Sequence, residues 1–178
     1  MDEWLQRYLL PSVETKDVAE LLRQADLPPA VLQGISRHYL FERDGADLLR
    51  KLPPDCVKTI GRWSLRHPQP DNRTDALLGL AGMKDDTGDA LLLEYLDKMP
   101  EARPLAKEDR TGPGSKVEYQ PREFVLPDGL DVRQTAAHLL ALRKYAKALP
   151  VIRRVAGEVP EKEREAYRKA AEALEKAK

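Results

Sequence analysis

Up to about Met99 the apolar residues return at helical spacing, in short runs that stop and restart. Trp4, Leu5, Tyr8 and Leu9 share a face that Pro11 ends. Val18, Leu21, Leu22 and Ala25 mark a second helix. Thr15 is placed to cap it, and Asp17 lies in its first turn, where the helix dipole favours negative charge. Val31, Leu32, Ile35 and Tyr39 form the face of a third helix, and Leu48 and Leu49 mark a short fourth after the turn Glu42–Gly45. Val57, Ile60 and Trp63 mark a fifth. A loop is expected over His67–Asn72, then a helix through Leu77, Leu78 and Ala81 with Thr74 as its cap. A turn from Lys84 to Asp89, with Thr87 as cap, leads to Leu91, Leu92, Leu93, Tyr95 and Leu96. That run is apolar on more than one face, which predicts a central position in the core.

The same helix opening is written twice. Leu27-Pro28-Pro29 precedes Val31 and Ile35, and Leu52-Pro53-Pro54 precedes Val57 and Ile60. Proline suits the first helical position, because the amide hydrogen it lacks has no intrahelical partner there. Each opening follows a short leucine-bearing stretch, Glu20–Arg23 and Asp47–Arg50, so the unit reads as a helical hairpin in two copies. Duplication and convergent use of Pro-Pro both explain it, and two copies are too few for a solenoid. The arrangement predicts Val31, Ile35, Val57 and Ile60 in one core.

Between Pro100 and Gly129 the pattern lapses, with five prolines and three glycines in thirty residues. A loop of this length is functional or a linker. We expect an ordered excursion packed on the body, in which Val117–Tyr119 could pair with Phe124–Leu126 as a small β-hairpin. Helical periodicity resumes with Val132, Ala136, Leu139, Leu142, Ala146 and Leu149. Pro150 kinks or restarts it, and Val151, Ile152 and Val155 carry it to Gly157. Pro160 opens a last amphipathic helix bearing Tyr167, Ala171 and Leu174. The expected architecture is all-α: a compact array of short helical hairpins over 1–99, a Pro/Gly-rich connector over 100–129, and a C-terminal helical hairpin over 130–178 packed on the first part.

Composition narrows the chemistry. The chain has 178 residues, enough for one domain with an appendage. Thirty basic and thirty acidic residues give a formal net charge of zero, so global charge selects no partner. The single cysteine, Cys56, sits among apolar neighbours and reads as a buried thiol; it permits no intrachain disulfide. The start, Met1-Asp2-Glu3-Trp4, has no signal-peptide pattern, and no apolar run approaches the roughly 20 residues that span a bilayer. A soluble cytoplasmic protein without membrane contact is expected. His38, His67 and His138 are dispersed, no metal-ligand spacing occurs, and Asp85, Asp86 and Asp89 fit a helix start better than a calcium loop. Neither glycine cluster makes a phosphate loop, and no nucleophile elbow is present, so neither a cofactor nor a catalytic residue is implied.

One local anomaly remains. From Val132 to Gly157 the chain carries Arg133, Arg143, Lys144, Lys147, Arg153 and Arg154, and no acid. On one continuous helix, Arg133, Lys144 and Lys147 would cluster opposite the apolar stripe, flanked by Arg143. This is a solvated face paired with acids elsewhere, or a contact surface for phosphate backbone. Arg62 and Arg66, with Arg37, His38 and Trp63, could add a second basic strip with an aromatic available for stacking. The run Val18–Gly61, with Asp44-Gly45, Leu48-Leu49 and Ile60-Gly61 in order, resembles a sterile alpha motif domain, a helical interaction module, over about a quarter of the chain. Its helix spacing and Pro-Pro openings depart from that pattern, and no long final helix follows Gly61, so no family is assigned. The leading expectation is a non-catalytic interaction protein, a small adaptor or subunit with a protein partner. A nucleic-acid-contacting subunit using the basic helix 132–157 comes second, and an enzyme with a dispersed site third.

Overall fold

The computed structural model describes residues 14–24, 26–41, 45–104 and 124–177. Among them all regular structure is helical. The expected helix at Trp4–Leu9, the Glu42–Asp44 part of the turn and most of the Pro/Gly-rich connector lie outside the described residues. So does Val117–Tyr119 of the expected hairpin; its other half, Phe124–Leu126, is not a strand.

The two Leu-Pro-Pro openings adopt one backbone conformation. Pro28 has φ −57° and ψ 141° before helix α2 (Pro29–Ser36), and Pro53 has φ −57° and ψ 147° before α4 (Pro54–Ser64). In each case the second proline takes the first helical position. The leucine-bearing stretches before them form α1 (Thr15–Leu22) and α3 (Gly45–Lys51). Helix α2 packs on α4, placing Ile35, Val57 and Ile60 in the core, with Val31 half-buried against it. Cys56 is buried, its thiol 3.6 Å from the Ala19 carbonyl oxygen. Helix α2 passes into a π-helical turn at Arg37–Phe41, a widening that periodicity does not announce. Thr15 is inside α1 rather than its cap; the cap position is Glu14, which makes no side-chain capping bond.

Two starts differ from expectation by a few residues. Helix α5 (Pro70–Gly82) begins inside the expected 67–72 loop, so Thr74 is not its cap. The turn before it is tightened by buried His67, whose Nδ1 accepts the Gln69 amide at 3.1 Å, and Pro70 then opens the helix. Helix α6 (Asp86–Lys98) is capped by Asp85, whose Oδ1 accepts the Gly88 amide at 2.9 Å, and Thr87 lies within the helix. Gly88 is required sterically: a Cβ there would stand 2.3 Å from the Leu80 carbonyl oxygen of α5.

Helix α6 is central, as its apolar pattern predicts. Leu91, Leu92, Tyr95 and Leu96 are buried, and α4, α5, α7 (Val132–Leu142) and α8 (Leu149–Glu158) all pack against it. Helix α7 opens with a capping box in which Asp131 and Gln134 satisfy each other's backbone amides. It closes at Leu142, earlier than the periodicity suggests. Lys144 turns into the left-handed region at φ 54°, a short 3₁₀ turn spans Ala146–Ala148, and α8 starts beside Pro150. The stretch 132–157 is therefore two helices rather than one basic helix. Helix α9 (Glu161–Lys176) buries Tyr167, Ala170, Ala171 and Leu174 against α7 and α8. One connected apolar cluster runs from Val18 to Leu174. At about 1.5–3 kcal/mol per buried large aliphatic or aromatic side chain, this cluster is the main stabilising term.

Candidate functional site

Helix α6 carries Asp89, Glu94 and Asp97. Arginines from three directions meet it. Arg143, just past α7, holds Asp89 with two parallel bonds of 3.0 and 3.1 Å. The two side chains are 17% and 6% exposed, so this pair is largely removed from water. Such forked, charge-assisted bonds fix geometry as well as charge. Arg133 donates to the carbonyls of Leu96 at 2.9 Å and Asp97 at 3.4 Å. These carbonyls lie in the last turn of α6, where they lack helical donors and the dipole favours a cation. Arg154 of α8 pairs with Asp97 and, at 2.6 Å, with Glu158; Arg153 pairs with Glu175 of α9 at 2.6 Å. The antiparallel run of α7 along α6 explains the placement, since its start meets the end of α6 and its end meets Asp89.

The other flank of α6 faces α4. Arg62 holds Glu94 through bonds of 3.1 and 2.8 Å, and this keeps the Glu94 carboxyl below the usual carboxylate range, with Lys98 and Lys58 adding to the effect. Beyond the end of α6, Met99 adopts the left-handed conformation (φ 42°) and its amide bonds the Tyr95 carbonyl. That reversal brings the chain back across the end of α4. The Arg66 carbonyl accepts the Arg103 amide at 2.7 Å, and Arg66 Nε donates to the Glu101 carbonyl at 3.2 Å. A cleft of about 160 Å³ is left between these elements. Buried Leu65, Leu91 and Tyr95, with Pro100, give it apolar walls, and the exposed Arg62 and Arg66 with Glu94 form its charged edge. Burial pushes the Tyr95 hydroxyl pKa up, so it stays protonated at neutral pH. One turn before Leu65, Gly61 lets α4 approach α6: a Cβ there would lie 2.9 Å from the Leu91 side chain.

In comparisons with known proteins, no family model, no curated protein and no solved structure matches the chain.

The residues singled out from sequence separate into groups. Arg133, Arg143, Arg153 and Arg154 engage carboxylates or carbonyls of the chain itself. Lys144 and Lys147 stand on the break between α7 and α8; neither has an ion-pair partner among the described residues, and Lys147 lies 5.7 Å from the centre of the Tyr145 ring. Arg62 and Arg66 meet at the cleft, on the opposite flank from Arg143. Trp63 beside them is half-buried, and Arg103 covers its ring at 4.1 Å. The Arg103 guanidinium and the Trp63 indole nitrogen both donate to Gln33 Oε1, at 3.2 and 3.4 Å. Sequence reasoning missed Arg103, Glu94 and Pro100. The helix-ending Lys98-Met99-Pro100 was the one local signal of a chain reversal there. Among the described residues, no three His, Cys, Asp or Glu side chains gather as metal ligands would.

Proposed function

We propose that this protein is a non-catalytic interaction protein, a small adaptor or subunit of a larger assembly built from short helical hairpins. The observation that supports this most is the division of its cations. Arg133, Arg143 and Arg154 of the C-terminal third contact α6, while the opposite flank keeps an apolar cleft edged by Arg62 and Arg66. An apolar concavity with a few charged groups at its edge suits recognition of another chain. The test is co-purification from the native host at physiological salt with hydrodynamic sizing. We expect a protein to be retained in a larger species. Retention of nucleic acid with no protein would count against the reading.

One observation favours a second reading, contact with a nucleic-acid backbone. Lys144 and Lys147 project from the α7–α8 break without carboxylate partners among the described residues, next to Tyr145. That reading expects a mobility shift that weakens steeply with salt and is abolished in K144E/K147E. No shift at low salt would remove it.

A further inference from the structure

The cleft between α4 and α6 has a composition that selects among partners. Its volume of about 160 Å³ is close to that of engineered apolar cavities that bind benzene, so it has room for one aromatic or branched aliphatic group. Its inner surface offers such a group Leu65, Leu91 and Tyr95. At the edge, Arg62 is already engaged with Glu94, whereas Arg66 uses only Nε, on the Glu101 carbonyl. Both Nη nitrogens of Arg66 make no hydrogen bond with any described residue. Lys58 and Lys98 act on Glu94 along with Arg62, so the Glu94 charge is offset at this edge. A free planar fork is suited to a carboxylate, which it grips through two parallel bonds.

We propose that the cleft receives a peptide segment of a protein partner, with an aromatic or branched aliphatic side chain inserted between Leu65, Leu91 and Tyr95. A carboxylate of the adjacent residue is then held by the outer nitrogens of Arg66. This rests on the interaction reading above and names the chemistry of the partner. Fixed charge at the edge with an apolar interior also gives discrimination. A basic neighbour would meet Arg66 with like charge, and a polar side chain would leave its groups unpaired in the cleft.

The experiment is an amide-resolved NMR titration of the full chain with three short N-acetylated, C-amidated peptides, Gly-Asp-Phe-Gly, Gly-Lys-Phe-Gly and Gly-Asp-Ser-Gly. Peptide is taken to about 5 mM, enough to detect a Kd near 1 mM. The aspartyl-phenylalanyl peptide is expected to shift Leu65, Leu91 and Tyr95, with the other two at least tenfold weaker. Arg66→Gln is expected to reduce that binding about tenfold, and Arg66→Glu to reverse the preference toward the lysyl peptide. The side chain of Arg66 is exposed and makes one hydrogen bond, so both variants should fold; Arg66→Gln alone suffices if the charge reversal does not. Shifts located elsewhere, equal response to all three peptides, or indifference to both variants would overturn the proposal. An octathymidylate that displaces the acidic peptide from these resonances with higher affinity would also overturn it, in favour of a phosphate ligand. A negative titration alongside a retained protein partner overturns this inference and leaves the interaction reading standing.

Discussion

The two flanks of helix α6 use the same chemistry to different ends. Toward α7, Arg133 and Arg143 close onto α6, and Asp89 and Arg143 lie largely out of water. Toward α4, Arg62 takes Glu94 in an equally forked pair, yet that pair is half in solvent and a cleft opens beside it. Arginine–carboxylate pairs are thus bracing where helices close over them, and adjustable where a chain reversal leaves room. What separates the two cases is burial rather than residue type.

The sharpest way to break this comparison is at Arg143. Replacing it by Met leaves a buried Asp89 carboxylate unpaired, and we expect about 3 kcal/mol of destabilisation by urea unfolding. Asp89→Leu with Arg143→Met should recover most of that loss, because a well-packed apolar pair is often as stable as a buried ionic one. Next in size is Arg133→Ala, which removes a charged donor from the last turn of α6; about 1–2 kcal/mol is expected by the same measurement. Glu94→Gln on the open flank should cost less than about 1 kcal/mol, since pairs this exposed are screened. The pH dependence has a definite sign. Arg62 lowers the folded-state pKa of Glu94, so its small contribution is present above the ordinary glutamate range. It is lost as pH falls through the depressed folded value. Wild type and Glu94→Gln should therefore differ in Tm above the ordinary glutamate range and converge only below the depressed folded value. Smallest of all, K144E/K147E should change stability by no more than about 0.5 kcal/mol, because both lysines are exposed and unpaired among the described residues.

The same contrast shows what the amino-acid pattern could and could not reveal. The Pro-Pro openings were legible because proline fixes φ and removes a donor, consequences that neighbouring residues cannot reverse. The central place of α6 was legible because Leu91, Leu92, Leu93, Tyr95 and Leu96 leave no polar face wide enough for a surface helix. The Asp131–Gln134 capping box was present in the sequence and unread. The break after Leu142 was hidden: neither glycine nor proline marks it before Pro150, and Lys144 takes the left-handed conformation against its own preference. Once that break is misplaced, the wheel misassigns the basic residues, and Arg143 appears beside a solvent face when it turns inward to Asp89. The cleft could not be read at all. It depends on where Met99 reverses the chain and on the approach of α4 to α6 at Gly61, and both are tertiary facts.

The central claim is that Arg143, buried against Asp89, holds the fold together rather than awaits a ligand. A double-mutant cycle on Asp89→Asn and Arg143→Met, followed by urea unfolding, measures this directly. A coupling of about 2 kcal/mol or more is the predicted result. A coupling below about 0.5 kcal/mol would contradict it and return Arg143 to the candidates for external recognition.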